Sequence, residues 1–472
     1  MADPDARIAL PDEVAVVNIG LALFADAVRE QSTPVEQVDW RIPADGQLEM
    51  VTDLECLFGP RSADLDVANA EVVRRLDESV PLLVDIASSG KVVPGMSGRM
   101  LLHCGPAIDW SDTCDPLRRS MRAAAVSEGW AKSVEEADRM LADGEVTLEP
   151  GYQHDTVLPM ASAIGPSAPV FVVDNPDGGT RAFAPINQGP GETAWFGCET
   201  RTAIARLDFL RDVAAPMLRR IVESSGPIDL FRLAAQGVQI GDDVHMRTQG
   251  TTSLLIRSLL PQIAGLPDEG RVPLAEFLST NHLFFLNLAM AAAKSAAMWA
   301  EQVEGASIVT MMCRNGTYYG IRLAGWDEVF IARSPAVQQA MYYPDYGPES
   351  SAPDIGDSAI LELVGLGGAA AAGSPAVAGF LPGGLAEAAS MTEQMISICA
   401  QESSRFKLPT RNHRGTPLGV DVRRVVELNI TPKVTTGILH ASSGVGQIGA
   451  GVAAAPIECF RAAVRSLAHH EG

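Results

Sequence analysis

The sequence predicts a multidomain protein of mixed α/β and α+β class, with an N-terminal Rossmann-like open sheet, a helical middle layer and a glycine-rich α+β C-terminal part. The chain has 472 residues, more than one ordinary hydrophobic core organises. Strand-like and helix-like apolar runs alternate near its start, and helical periodicity dominates from Thr200 to Val303. After Ala306, short β-like runs alternate with loops rich in Gly, Pro and Asp.

Residues 1–110 read as a Rossmann-like βαβ domain. Its first strand is predicted over Val14–Asn18, its first helix over Leu21–Gln31 and its second strand over Val35–Trp40. A helix over Asp64–Ser79 and a strand over Pro81–Ile86 extend the predicted parallel sheet. The turn after the first strand carries a single glycine instead of the dinucleotide fingerprint, so we expect no cofactor.

Four further segments follow. Residues 111–150 predict a small helical insert, 151–200 a loop and strand segment returning to sheet, 201–305 a helical domain, and 306–472 a glycine-rich α+β domain carrying the site. The stretch Leu283–Ala300 is apolar, but it contains Asn287 and Lys294 and predicts a buried core helix instead of a membrane span. The Ala/Gly-rich run Gly365–Gly379 predicts a tightly packed helix.

The charge balance excludes two classes of partner. The chain has 36 basic and 58 acidic residues, a formal net charge of −22, and a field of that sign repels nucleic acid and anionic membranes. A small anionic substrate is repelled as well. A site for one must therefore concentrate Arg, Lys or backbone N–H donors.

Cysteine usage and the N-terminus indicate the cytoplasm. The seven cysteines have neither Cys-x-x-Cys nor zinc-ligand spacing, which favours a reducing compartment and no metal site. The first residues lack the basic-then-apolar layout of a signal peptide.

A first candidate site lies in Cys313-Arg314-Asn315-Gly316 and the nearby Arg322. Guanidinium groups beside a glycine turn bind a carboxylate or phosphate through two bonds, which predicts an anion site. The alternative is a hairpin turn with two solvated arginines. Cys313 is better explained as a core residue than as a nucleophile. If Arg314 faces a pocket, its replacement by Lys should abolish activity without unfolding the protein.

A second candidate is Gly347-Pro348-Glu349 followed by Asp354-Ile-Gly-Asp357-Ser358, with Glu362 beyond it. The simpler interpretation is that Asp357 and Ser358 cap a helix running through Glu362. The functional alternative is an anion site at that helix start.

The run Gly444–Gly451 contains a G-x-G-x-x-G pattern, but the chain ends before the further strand that a dinucleotide fold needs. The backbone of Gly444, Gly446 and Gln447 can still cradle a phosphate or an oxyanion, with His440 nearby as acid or base.

Other polar groups are dispersed. They are Arg414 and Thr416 in a turn, His245 beside Asp242 and Asp243, His282 before a helix, and Asn287 and Lys294 on one face of that helix. Such a lysine either needs a carboxylate or anionic ligand or reaches water at the helix edge. We expect the arginines and the Gly444–Gly451 loop to converge on one pocket.

Six separated motifs carry a family resemblance. They are Asn281-His282-xx-Phe285-Leu-Asn287, Arg314-Asn315-Gly316, Gly347-Pro348-Glu349, Asp354-Ile-Gly-Asp357-Ser358, Arg414-Gly-Thr-Pro417 and Gly444-Val-Gly-Gln447-Ile-Gly-Ala-Gly451. With these, the chain resembles the oxamate carbamoyltransferase subunit family linked to bacterial allantoin catabolism, over nearly its whole length. It departs from the family pattern at Tyr152–Asp155 and at Gly241–Thr248, which bears on the substrate more than on the fold.

The resemblance implies carbamoyl transfer between oxamate, as oxalurate, and phosphate, with carbamoyl phosphate as product or donor, in purine degradation. It implies partner subunits, one of them synthetase-like, and we expect a homo-oligomer. On this hypothesis His440, His282 and Arg314 are catalytic, and the other polar residues above bind substrate. The alternatives are a stand-alone amidohydrolase of a ureide or cyclic amide and a non-catalytic scaffold subunit.

Overall fold

The computed structural model describes residues 14–38 and 42–470. In this part of the chain the strands are β1 Val16–Ile19, β2 Val35–Val38, β3 Leu82–Ser88, β4 Met100–His103, β5 Thr147–Pro150, β6 Ala163–Ile164, β7 Pro169–Asn175, β8 Thr180–Pro185, β9 Ile228–Asp229, β10 Val309–Arg314, β11 Tyr318–Leu323, β12 Phe330–Arg333, β13 Gln339–Tyr342, β14 Cys399–Leu408, β15 Arg414–Val420, β16 Lys433–Leu439 and β17 Gln447–Ala454.

The helices are α1 Ala22–Arg29, α2 Leu48–Phe58, α3 Ser62–Glu78, α4 Ser89–Val92, α5 Asp115–Ser127, α6 Val134–Ala142, α7 Arg201–Phe209, α8 Ala215–Ser225, α9 Leu230–Gln239, α10 Gln249–Ala264, α11 Asp268–Thr280, α12 Phe284–Ala300, α13 Ile360–Leu363, α14 Pro375–Ala378, α15 Gly384–Ile398, α16 Val422–Leu428 and α17 Ile457–His469. Helices and several small sheets are mixed along the chain, as the sequence predicts.

The N-terminal βαβ unit forms as expected, but the Rossmann-like sheet does not. β1 and β2 pair in parallel, with Val16 opposite Val35, and Trp40 lies outside the described residues. β3 joins a different sheet, of order β8-β7-β3-β9, and pairs antiparallel with both neighbours. β7 and β8 form an antiparallel hairpin that provides the edge along which β3 pairs. In this sheet β3 precedes the proposed boundary at residue 110 and β9 follows the one at 200, so the sheet includes strands from three of the predicted segments. The division of the chain into five segments stays a prediction.

Four other sheets surround the site described below. Their strand orders are β5-β4-β6, β10-β11-β12, β13-β17-β16 and β14-β15. In the β13-β17-β16 sheet, β16 and β17 form an antiparallel pair joined by the loop that carries Gly444 and Gly446. Arg314 is the last residue of β10, and Thr436 lies in the middle of β16.

α12 is the central helix, as its apolar sequence predicts. It is buried from Phe284 to Ala297, and its alanines let β7, β8 and α3 pack closely against it. In the described part of the chain, no single helix is long and apolar enough to cross a membrane. The pair formed by α11 and α12 meets that test only jointly, and it is bent by 82°.

The Ala/Gly-rich run is not the single helix that we expected. It forms a 3₁₀ turn over Gly367–Gly373, followed by the short α14. Gly367 has a left-handed φ of +58°, which an α-helix does not accommodate, and a Cβ at Gly368 would lie 2.0 Å from the carbonyl oxygen of Lys433. The run is tightly packed, and its backbone approaches β16 where a side chain would not fit.

Candidate functional site

Arg314, at the end of β10, is fully buried, and its ligand is a carboxylate of the protein itself. Its Nε and Nη2 donate to the two oxygens of Asp354 at 2.9 and 3.0 Å. The hydroxyl of Thr436 donates to the same carboxylate at 2.9 Å. Nη1 is buried and has no hydrogen-bond partner among the described residues. The sequence left two interpretations of Arg314 open, an anion-binding residue and a solvated arginine in a hairpin turn. The second is wrong because the Arg314 side chain is fully buried.

The Arg314 turn and the Asp354–Ser358 motif pack side by side. Asn315 bridges to Ile355, and its side-chain amide donates to the carbonyl of Pro106 at 2.9 Å. The carboxylate of Asp357 accepts the backbone N–H groups of Gly105 at 2.7 Å and Leu158 at 3.0 Å. Burial raises the pKa of Asp357 to about 7, although these two donors act to lower it.

Helix capping does not explain Ser358 and Glu362. Asp357–Ala359 is a 3₁₀ turn leading into α13, and neither start has a side-chain cap bond. Both residues are buried instead. The expectation of a capping arrangement is wrong because the Glu362 carboxylate points into the core.

Glu362 forms a buried dyad with His245. Nδ1 of His245 lies 2.8 Å from Oε1 of Glu362, and the two side chains are 3% and 0% exposed. The same oxygen accepts the backbone N–H groups of Gly368 at 3.1 Å and Thr435 at 3.2 Å. When Glu362 is ionised its oxygen accepts from Nδ1 of His245, and Nε2 is the ring nitrogen left for chemistry.

The segment that presents His245 has a strained backbone. Val244 is fully buried and has φ of +60°, a left-handed conformation that a β-branched residue rarely adopts. Its neighbour Asp243 holds the turn by accepting the N–H groups of His245 at 3.1 Å and Arg247 at 2.8 Å. Burial raises the pKa of Asp243. Strain of this kind concentrates at functional sites, where the surrounding structure maintains it.

Glycines form the wall of the dyad. The N–H of Gly367 donates to the carbonyl of Asp243 at 2.7 Å. A Cβ at Gly367 would lie 2.2 Å from Oε1 of Glu362 and 3.0 Å from Nδ1 of His245. The hydroxyl of Thr435 donates to Asp243 at 3.1 Å. The Ala/Gly-rich run, β16 and the 241–248 segment therefore close around one histidine.

A second buried charge cluster lies at the C-terminal end of α12. Lys294 is 2% exposed, and its Nζ lies 3.8 Å from Oε1 of Glu301. Nη2 of Arg322 lies 2.7 Å from Oε2 of the same carboxylate. The sequence predicts that a buried Lys294 needs a carboxylate partner or an anion. The carboxylate is present, but beyond hydrogen-bond distance.

The loop after β16 has a more ordinary structure. Nδ1 of His440 accepts the N–H groups of Ser442 at 3.2 Å and Ser443 at 3.1 Å, which fixes the loop. A Cβ at Gly444 would lie 2.9 Å from the guanidinium of Arg119, and the side-chain amide of Gln447 donates to Gly449 at 3.0 Å. The close contacts of this loop are with other residues of the protein, such as Arg119, and within the loop itself.

Other predicted residues lie apart from the buried clusters. Arg414 is 60% exposed and paired with Glu402, so it does not converge with the buried Arg314. Glu349 is exposed. His282 has an exposed side chain, and its carbonyl accepts the hydroxyl of Thr248 at 2.9 Å.

Two further predicted residues are buried in the core. Asn287 accepts from Asn187 at 3.0 Å and donates to Pro185 at 2.7 Å, which ties α12 to the end of β8. The hydroxyl of Thr416 is buried and has no partner among the described residues.

Sequence reasoning missed Glu301, and it named Asp354, Glu362 and Asp243 as motif members without identifying their partners. Each of these four carboxylates holds a basic group or a strained turn. A usable signal was present for Glu362, an acidic residue inside an apolar run, Ile360–Leu366. Such a residue is buried only with partners.

The fold is a mixed helix-and-sheet architecture with several small sheets, and comparison with known proteins defines its family. A family model described as oxamate carbamoyltransferase subunit AllG matches residues 146–358. The chain is 37% identical over 411 residues to the oxamate carbamoyltransferase subunit AllG of Escherichia coli (strain K12), covering 86% of this chain and 98% of that protein.

Two other proteins match over a similar extent. The uncharacterized protein YahG of Escherichia coli (strain K12) is 35% identical over 453 residues, covering 95% of this chain and 96% of that protein. The crystal structure of a conserved protein of unknown function from Enterococcus faecalis V583 superposes with a TM-score of 0.83 at 33% identity, covering 86% of this chain and 97% of that one. The chain belongs to the AllG family of oxamate carbamoyltransferase subunits.

Proposed function

We propose that this protein is the acid–base component of a cytoplasmic carbamoyltransferase that acts on oxalurate, oxamate or a related ureido compound, with carbamoyl phosphate as product or donor. Membership of the AllG family supports the reaction class. The observation that carries the assignment to this subunit is the buried His245–Glu362 dyad, held at 2.8 Å beside a strained turn.

The reaction assigns a task to Nε2 of His245. A phosphate oxygen forms a bond to the ureido carbonyl carbon, and the bond from that carbon to the oxamate nitrogen breaks. The departing nitrogen must gain a proton: Nε2 takes it from the incoming hydrogen phosphate and donates it to that nitrogen, so the histidine ends as it began. Glu362 orients the ring and stabilises its charged form, as a carboxylate does behind a catalytic histidine.

Burial of the dyad indicates that the resting subunit is closed. With His245 only 3% exposed, substrate reaches Nε2 after the 241–248 segment moves. We propose that assembly with the partner subunits, one of them synthetase-like, produces this movement, and that the chain is itself a homo-oligomer.

The test is turnover of the purified chain, alone and with its partner subunits, on oxalurate plus phosphate, with carbamoyl phosphate trapped by carbamate kinase as ATP. We expect ATP formation only in the complete mixture. Hydrolysis of a ureide by the chain alone, without ATP formation, would establish the amidohydrolase alternative instead.

A further inference from the structure

Lys294, in the C-terminal half of the buried helix α12, has no hydrogen-bonded acceptor among the described residues. Its Nζ has a single carboxylate oxygen within 4 Å in the described part of the chain, Oε1 of Glu301 at 3.8 Å. A buried ammonium group without close acceptors costs stability that an anion would restore.

Arg322 has the same deficit. Its Nη2 forms an ion pair with Oε2 of Glu301 at 2.7 Å, but its Nε is buried and has no hydrogen-bond partner among the described residues. In the same part of the chain, Oε1 of Glu301 makes no hydrogen bond. One buried and one half-buried cation therefore share the Glu301 carboxylate, and neither Nζ of Lys294 nor Nε of Arg322 has a hydrogen-bonded acceptor among the described residues.

The cluster reaches the surface beside the loop after β5, where the Arg322 side chain is 16% exposed. The half-buried ring of Tyr152 lies with its centroid 5.9 Å from the Arg322 guanidinium carbon. Asp155 is also half-buried, and Lys294 and Arg322 both act to lower its pKa, although burial raises it overall. Among the described residues, Asp155 forms no ion pair with either cation. Asp155 therefore lies at the edge of the cluster, and it does not supply the acceptor that Lys294 and Arg322 lack.

We infer that Lys294 and Arg322 bind an oxyanion, a carboxylate or a phosphate group, between Nζ of Lys294 and Nε of Arg322. Two cations that approach the same Glu301 carboxylate suit an anion with several oxygens. The identity of the anion as the oxamate carboxylate or as phosphate rests on the proposed function. The existence of the site does not.

The experiment is calorimetric titration of the full chain, without partner subunits, with inorganic phosphate and separately with oxamate, against chloride at matched ionic strength. We expect phosphate or oxamate to bind, and Lys294→Met and Arg322→Gln each to weaken binding at least tenfold. Lys407→Met removes another half-buried lysine, whose Nζ donates to the Ser403 carbonyl at 3.0 Å, and should leave binding unchanged.

Thermal unfolding distinguishes a variant that has lost the anion site from a variant that fails to fold. Because Lys294 lacks close acceptors, the ligand-free Lys294→Met protein should melt at or above the wild-type midpoint and lose the anion-induced rise. Binding of phosphate alone or of oxamate alone decides the source of the anion, and mutual competition shows that both use the site. Wild-type affinity in both variants, or no binding by the wild type, overturns the inference. Neither outcome depends on turnover, so the proposed function is judged separately.

Discussion

The His245 and Lys294 clusters differ in which of their groups are left without a hydrogen bond. In the His245 cluster, Oε1 of Glu362 is bonded to His245 and to two backbone N–H groups, and the buried atom without a partner among the described residues is an acceptor, Oε2 of Glu362. In the Lys294 cluster, the ammonium and the Nε of Arg322 have no hydrogen bond in the described residues. From this difference we propose that the first cluster positions a proton and the second receives a ligand.

The largest effect should come from crowding the bonded cluster. Gly367→Ala places a methyl group 2.2 Å from Oε1 of Glu362, and we expect it to displace the dyad, reduce turnover at least about 100-fold and cost about 2–3 kcal/mol of unfolding free energy. Turnover of the reconstituted enzyme and denaturant unfolding measure both.

Gly384 provides a matched control for that substitution. It has the same φ of +58°, and nothing lies within 4 Å of the position of its Cβ. Gly384→Ala should therefore show backbone strain alone, about 1 kcal/mol, with normal turnover. Equal losses in the two variants would mean that strain, and not contact with the dyad, is responsible.

The next largest effect, on stability, should distinguish Arg314 from Arg414, two arginines that lie in similar sequence motifs. Arg314→Lys replaces two bonds to a buried carboxylate by one, and we expect a loss of about 1.5–3 kcal/mol in unfolding free energy. This revises the expectation that the substitution leaves stability unchanged. Arg414→Lys, at an exposed pair, should not move the unfolding midpoint measurably. A stable Arg314→Lys protein would contradict the structural role.

The smallest effect is a change in pH dependence. Burial lowers the pKa of His103 to about 4, while its Nδ1 bonds to the Cys104 carbonyl at 2.8 Å. Between pH 4 and 6.5 the unfolded chain binds a proton at His103 that the folded chain does not, so this contribution to stability is lost as the pH falls.

His103→Asn should abolish that contribution. The stability difference between wild type and His103→Asn, measured by denaturant unfolding from pH 7 to 5, should shift against the wild type as the pH falls. His413→Asn, at an exposed histidine, is the control. A difference that stays constant with pH would show that His103 does not titrate in this way. Asp357, whose pKa is raised, contributes with the opposite sign and is common to all three proteins.

Sequence periodicity predicted the local elements well and their assembly poorly. α12 and the βαβ start follow from apolar patterns, which record burial directly. The pairing of β3 with β7 and β9 does not, because apolar strands of either orientation have similar patterns. Arg314, Asp357 and His245 were recognised as unusual residues. Their partners Asp354 and Glu362 come from separate segments, and only the fold brings each pair together.

The most direct test of the account is the turnover of His245→Asn in the reconstituted enzyme. The Asn amide replaces Nδ1 as donor to Glu362 and removes Nε2, so the dyad position stays bonded while the acid–base atom is lost. We predict a fall in kcat of about 10²–10⁴-fold with a thermal midpoint near that of the wild type and unchanged anion binding. Near-normal turnover in a folded variant would contradict the catalytic role of His245 and favour a scaffold subunit.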